Sequence, residues 1–187
     1  MSGGERPPRS PDGPLVDPGV PTSTTVAAWA WAVCGAATVV GALVGLALAP
    51  GTLRAFDAAT GDLFDGADTG VAAGLFSGAF AAATYAFLLV QLGVGAGVAW
   101  LATRLRVGRN WVRVLLTVVA VGFLFGAGTV QMELTGVEVP REVVRFQTAQ
   151  TIRWPLEALP ALVGTVAMGM GPSSRYVRLR EAARGVR

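Results

Sequence analysis

Four stretches of the sequence are apolar over lengths that suit membrane-spanning helices. A bilayer core about 30 Å thick needs roughly 20 helical residues. Three runs without a charge come close to or exceed this length, namely residues 26–49, 69–103 and 114–132. A fourth run, residues 158–174, reaches the length of a span only if it is taken to begin at Trp154 and to include Glu157. The pattern predicts an all-α membrane protein with four transmembrane helices in a compact bundle.

The predicted spans cover about residues 26–49, 79–102, 112–132 and 154–172. Residues 1–25 are rich in proline and poor in large apolar side chains, which predicts a disordered cytoplasmic tail. Residues 173–187 carry five arginines. This composition predicts a basic cytoplasmic tail that is partly helical on the membrane surface. Residues 50–68 predict a short helix on the outer surface of the bilayer.

Composition supports a membrane location. The 187 residues are 52% hydrophobic and only 14% charged, with a mean hydropathy of +0.54, whereas a soluble domain carries about a quarter charged residues. A pI near 10 would also suit a nucleic-acid-binding protein. The arginines, however, abut apolar runs and do not form a stripe on a soluble module. We therefore expect no nucleic-acid partner.

The arginines also predict the orientation. With four spans, eleven arginines lie on the side of the two termini and of the 104–113 loop, and four lie on the other side. Short arginine-rich loops stay in the cytoplasm, so both termini are predicted to be cytoplasmic. The densest patch, "RLRVGRNWVR" at residues 104–113, becomes a tight cytoplasmic hairpin, with Gly108 and Asn110 favouring the turn.

The four arginines of this hairpin are candidates for contacts with anionic lipid heads or with a partner protein. They are Arg104, Arg106, Arg109 and Arg113. The five tryptophans all fall near the ends of predicted spans, where indole rings favour the membrane–water interface. They are Trp29, Trp31, Trp100, Trp111 and Trp154. The expected partners are thus the bilayer itself and either a second copy or another membrane protein.

Residue types suited to catalysis are scarce. The chain has no histidine, which removes the commonest general base and transition-metal ligand. Its one cysteine, Cys34, lies inside the first span and is expected to pack as an apolar residue. The aspartates at 57, 62, 65 and 68 lack the spacing of a calcium loop. We expect no catalytic residue, no cofactor and no metal site.

Glycines four residues apart recur on three predicted helices. The pairs are Gly41 with Gly45, Gly93 with Gly97, and Gly122 with Gly126. Small residues on one face let helix backbones approach closely in lipid. The repetition predicts tight helix contacts and argues against a wide pore.

Three polar residues near the predicted spans are candidates for function: Gln91, Arg153 and Glu157. A carboxylate inside the membrane is a functional hypothesis by default. Glu157, however, follows Trp154 by three residues, which predicts a place in the first helical turn near the outer interface, stabilised by the helix dipole and by Arg153. If Glu157 and Gln91 face one internal cavity, a transport role is favoured. If Glu157 pairs with Arg153 at the surface, a structural role is favoured.

Some segments resemble a known group of proteins. The Pro-rich tail, the first span, "LRAF" and "RVGRNWVRVLLTV" are similar to uncharacterised four-helix membrane proteins of high-GC Gram-positive bacteria, in which a Gly-Arg-Asn-Trp-x-Arg hairpin recurs. The resemblance covers about residues 26–172 and implies fold and location. It implies no activity, substrate or catalytic residue.

Two classes of function follow. The first is a non-enzymatic membrane protein that acts through protein or lipid contacts, as a scaffold, an accessory subunit or an envelope factor. The alternative is a small oligomeric transporter or channel that uses Glu157, Gln91 and Arg153. An enzyme is disfavoured because the usual catalytic residue types are missing.

Overall fold

The chain folds into five α-helices in the computed structural model, which describes residues 19–64, 70–126 and 140–185. They are α1 (Thr22–Phe64), α2 (Gly70–Leu105), α3 (Asn110–Gly126), α4 (Arg141–Gly169) and α5 (Gly171–Gly185). No strand occurs in these ranges, so the all-α prediction is confirmed. Most of the predicted N-terminal tail and the end of the predicted third span, residues 127–132, lie outside the described residues.

Helix α1 lies at the centre, and α2 packs antiparallel against it. A Cβ atom added to Gly35 would stand 2.7 Å from the backbone nitrogen of Ala99, so the two helices touch backbone to backbone. At the other end of the pair, Phe56 stacks on Phe80 with ring centroids 4.2 Å apart. Glycine is needed at the first contact because any side chain would force the helices apart.

Helix α4 packs antiparallel along another face of α1. The indole ring of Trp31 lies against Gly164, and the hydroxyl of Thr52 donates to the carbonyl of Glu142 at 3.5 Å. Trp31 is completely buried, so its predicted place at the interface is wrong. The ring fills the space that Gly164 leaves open. The other four tryptophans are exposed.

The hairpin between α2 and α3 is a tight turn at residues 106–109, and Gly108 has a positive φ of 73° that favours glycine. The hydroxyl of Tyr176 on α5 donates to the carbonyl of Arg106 at 3.1 Å. Nearby, the hydroxyl of Thr24 donates to that of Ser173 at 3.1 Å. The start of α1, the hairpin and α5 therefore meet at one end of the bundle, which we call the hairpin end.

Two of the helices are long and apolar enough to cross a membrane, by length and composition, over Thr22–Ala58 and Gly74–Leu105. The apolar part of α3, Asn110–Phe123, is shorter. The first helix passes through Pro50 without a break, so a separate surface helix beginning there is not present. Packing of Phe56 on α2 and of Thr52 on α4 keeps this segment helical beyond the proline.

The glycine pairs differ in what they face. A Cβ atom on Gly41 would collide with the side chain of Arg153, and one on Gly45 would stand 2.6 Å from Leu88 Cδ2. Gly93, Gly97 and Gly122 have open space around them, and the surroundings of Gly126 lie outside the described residues. Among the five of these glycines whose surroundings are described, only the two on α1 face another helix, and they meet side chains rather than a backbone. The closest helix approach uses Gly35 and Gly95 instead.

We expect Gly35→Leu to lower the thermal stability of the purified protein. The new side chain would meet backbone atoms of α2, which cannot move aside as a flexible side chain can, and overpacking of this kind costs about 1–3 kcal/mol or more. Gly93→Leu is the matched control, because a Cβ atom there meets nothing within 4 Å. The measurement is the unfolding midpoint in detergent. Equal midpoints for the two variants would show that α1 and α2 are not in backbone contact.

Candidate functional site

Arg153 is the centre of a polar cluster inside the bundle. It lies on α4, and its aliphatic chain runs across α1 at Gly41, where any larger residue would collide with it. The glycine thus makes room for a long cationic side chain between two packed helices. The side chain of Arg153 is only 12% exposed.

Glu157 forms an ion pair with Arg153. The Nε atom of Arg153 lies 2.6 Å from Oε1 of Glu157, and an Nη2 hydrogen bond reaches Oε2 at 3.4 Å. The two residues are one helical turn apart, so they share a face of α4. The pairing predicted from the sequence is present, but it is buried, since the side chain of Glu157 is 4% exposed.

The predicted place of Glu157 in a first helical turn is wrong. Helix α4 begins at Arg141, so about 24 Å of helix precedes Glu157. A helix dipole acts only within the terminal turns and has no part here. Residues 141–153 stay helical, despite their polar composition, because this part of α4 packs on α1 through Glu142.

Two glutamines complete the cluster. The Nη1 group of Arg153 donates to Oε1 of Gln91 on α2 at 2.5 Å and to Oε1 of Gln150 on α4 at 2.9 Å. Arginine only donates, so both amides must turn their oxygens toward it. Sequence reasoning missed Gln150, although its place three residues before Arg153 puts the two on one helical face. Arg153 therefore connects α2 with α4 across α1.

The cluster borders a cavity of about 480 Å³ between α2, α3 and α4. Most of its wall is apolar, with Phe87, Val90 and Val94 from α2 and Val119 and Phe123 from α3. The polar part of the wall consists of Thr38, Gln91, Gln150, Thr151, Arg153 and Glu157. A mostly apolar cavity of this size with a few grouped polar side chains is typical of a small-molecule site.

Glu157 and Gln91 line the same cavity, and the sequence alone could not decide whether they would. Both residues line the same wall, and Arg153 bonds to each of them. Arg153 also lies level with Gly41 of α1, about 12 Å along the helix from the end of the charge-free run at residue 49. The ion pair is therefore within the apolar length of α1.

The hairpin arginines are separate from this cluster. Arg104 lies over the ring of Trp100 and Arg106 over that of Trp29, at 5.1 and 5.3 Å from the ring centroids. Arg113 donates to the hydroxyl of Ser174 at 3.3 Å. The side chain of Arg109 is exposed. Three exposed arginines, two of them over exposed tryptophan rings, give the hairpin end a basic, aromatic rim.

Within the described residues, no three histidine, cysteine, aspartate or glutamate side chains are grouped so that they could hold a metal ion. Cys34 is a buried free thiol, and the hydroxyl of Thr38 donates to its carbonyl at 3.0 Å. Comparisons of the sequence with family models, with curated proteins and with solved structures find no match.

We expect Arg153→Leu and Glu157→Leu each to destabilise the fold strongly. Removing one partner of a buried pair leaves an uncompensated charge, which costs about 3–5 kcal/mol. The double variant should be much less destabilised than the sum of the two, because neither charge then remains. Arg145→Leu is the control, since Arg145 is an exposed arginine of the same helix. The measurement is thermal unfolding in detergent, and additive losses would contradict a buried pair.

Proposed function

We propose that the chain is an integral membrane protein that crosses the bilayer four times, with both termini in the cytoplasm. The observation that carries this proposal is the distribution of side-chain sizes. Nine of the twenty buried apolar residues that the structure describes are alanines, among them Ala27, Ala42, Ala102 and Ala161. Large apolar side chains face outward on all four long helices, including Trp29, Leu75, Val118 and Leu159, each more than 60% exposed.

This arrangement suits lipid as the surrounding solvent. In a bilayer, helix association depends on close packing of small residues, because lipid tails solvate large apolar side chains as well as a core does. In water, the same exposed surface would exceed the apolar patches that monomeric proteins normally show. A membrane location explains both the small core and the apolar exterior.

The proposed fourth span is longer than its apolar run. Arg153 packs beside Gly41, which lies within the charge-free run of α1. The part of α4 that runs alongside this charge-free run is therefore about residues 146–169, which we take as the span. This span contains Arg153 and Glu157, whose charges compensate each other. Pairing of this kind is how ionisable residues occur in transmembrane helices. The first helix, with 43 residues, is about 64 Å long, so its end extends beyond the bilayer opposite the hairpin end.

We infer that the protein is not an enzyme and acts through contacts with lipids or with other proteins, as a scaffold, accessory subunit or envelope factor. Support comes from the basic, aromatic rim of the hairpin end. Arg104, Arg106 and Arg109 are exposed there, and arginines next to a bilayer attract anionic lipid heads. A transporter is favoured by the single cavity that Glu157 and Gln91 share. It is the second candidate because the charge of Glu157 is compensated by Arg153 and both side chains are nearly closed to solvent.

A topology experiment tests the membrane proposal. A reporter that is active only outside the cytoplasm should work when it is inserted between Phe64 and Gly70 and should fail after Arg109 or at the C-terminus. The reason is that arginine-rich short loops stay cytoplasmic. Activity at the C-terminus would show that α4 does not cross the membrane. Extraction of the chain by alkaline carbonate would contradict integration altogether.

Ion flux in liposomes separates the two candidate functions. We expect liposomes that contain the protein to hold a proton or sodium gradient as long as protein-free liposomes do, because the Arg153–Glu157 pair is internally compensated and nearly closed to solvent. A leak that Glu157→Gln abolishes, while Arg145→Leu leaves it intact, would make the transporter the better account.

A further inference from the structure

The two glutamines of the cluster have unused hydrogen-bond donors. Each carbonyl oxygen accepts from Arg153, which leaves an amide NH₂ group on Gln91 and another on Gln150. Neither of these groups donates a hydrogen bond to any part of the chain that the structure describes. Both residues are half-buried and line the mostly apolar cavity, and the NH₂ group of Gln150 also lies beside Gly45 of α1.

The ion pair itself contributes little further binding capacity. Arg153 already donates to Gln91, Gln150 and Glu157, and both charged side chains are nearly closed off. Their charges compensate each other, so the wall favours neither an anionic nor a cationic head group. The role of Arg153 toward a ligand is to orient the two amides, because it accepts nothing and holds both oxygens.

We propose that this cavity binds an uncharged, membrane-soluble molecule that carries carbonyl oxygens, such as an acylglycerol ester or an isoprenoid quinone. Carbonyl oxygens accept from the amide donors of Gln91 and Gln150, and an apolar chain fills the remainder of the space. The inference rests on the proposed membrane location. An acceptor on the ligand pairs these unused donors, whereas a wholly apolar ligand leaves them unpaired in an apolar space.

The mouth of the cavity supports entry from the bilayer. Phe87, Val90 and Trp154 line the cavity and are also exposed, at 55%, 63% and 45%. They belong to the apolar exterior that we assign to lipid. A ligand dissolved in the membrane reaches the glutamines past these side chains without crossing water.

Quenching of tryptophan fluorescence by brominated lipids tests the proposal on the full chain in nanodiscs. The host lipid is an ether-linked phosphatidylcholine, which brings no competing ester carbonyls. The probes are a dibrominated diacylglycerol and its dialkyl ether analogue, which has the same chains but no carbonyl. We expect the ester to quench Trp154 at about tenfold lower mole fraction than the ether, as the loss of a hydrogen bond predicts. The difference should vanish in Trp154→Phe.

Substitutions identify the donors. Gln91→Leu and Gln150→Leu should each weaken binding of the ester about tenfold, whereas Gln147→Leu, an exposed glutamine of the same helix, should have no effect. If a leucine variant does not fold, Gly122→Phe replaces it. A side chain there enters the cavity without a collision, and Gly93→Phe, at an equally open glycine away from the cavity, is its control.

Each outcome has a distinct meaning. Displacement of the brominated ester by an unlabelled isoprenoid quinone would identify a quinone as a ligand, and failure to displace it would leave the ester as the source of the carbonyls. Equal quenching by the ester and the ether, with glutamine variants like wild type, would overturn the inference. If carbonate extracts the chain from membranes, the membrane proposal fails. If the chain resists extraction but shows no preference for the ester, only the present inference fails.

Discussion

The buried pair of Arg153 and Glu157 is the constraint on which the interior of the bundle depends. A charge enclosed among apolar helices is tolerated only with a partner and with its remaining donors satisfied. Arg153 meets this requirement with Glu157 and Gln150 from its own helix and Gln91 from α2. It passes α1 at Gly41, which has no side chain to obstruct it. One arginine thus fixes the relative positions of three helices.

The cavity follows from the same arrangement. Because α2 and α4 both pack on α1, their polar residues meet at the level of Arg153, while α3 covers the outer side with apolar residues. The space between them has a polar wall that is electrically neutral and an apolar wall that continues into the exterior. These properties favour a neutral amphiphile over an ion.

Much of the fold could be predicted from the sequence because it depends on hydrophobic length. The helices, the hairpin at Gly108 and the pairing of Arg153 with Glu157 follow from charge-free runs, turn formers and helical spacing. The depth of the pair could not be predicted, because the sequence of residues 141–153 does not show that this polar segment packs on α1 as part of α4. Nor does the sequence distinguish Gly41, which faces Arg153, from Gly93, which faces open space. The depth of the pair and the surroundings of each glycine depend on how each helix is rotated about its own axis. The sequence does not define this rotation, because apolar residues occur on every face of the helices.

Solid-state NMR of the protein in bilayers can detect the buried pair of Arg153 and Glu157 directly. With ¹⁵N-labelled arginine and ¹³C-labelled glutamate, we expect the guanidinium of Arg153 to lie in close contact with a carboxylate carbon and to be shielded from water. Its signal should vanish in Glu157→Gln and persist in Arg145→Leu. Transfer of ¹H magnetisation from the lipid acyl chains should reach Trp154 on the same helix. A guanidinium of Arg153 that exchanges freely with bulk water, without a carboxylate nearby, would contradict a buried ion pair.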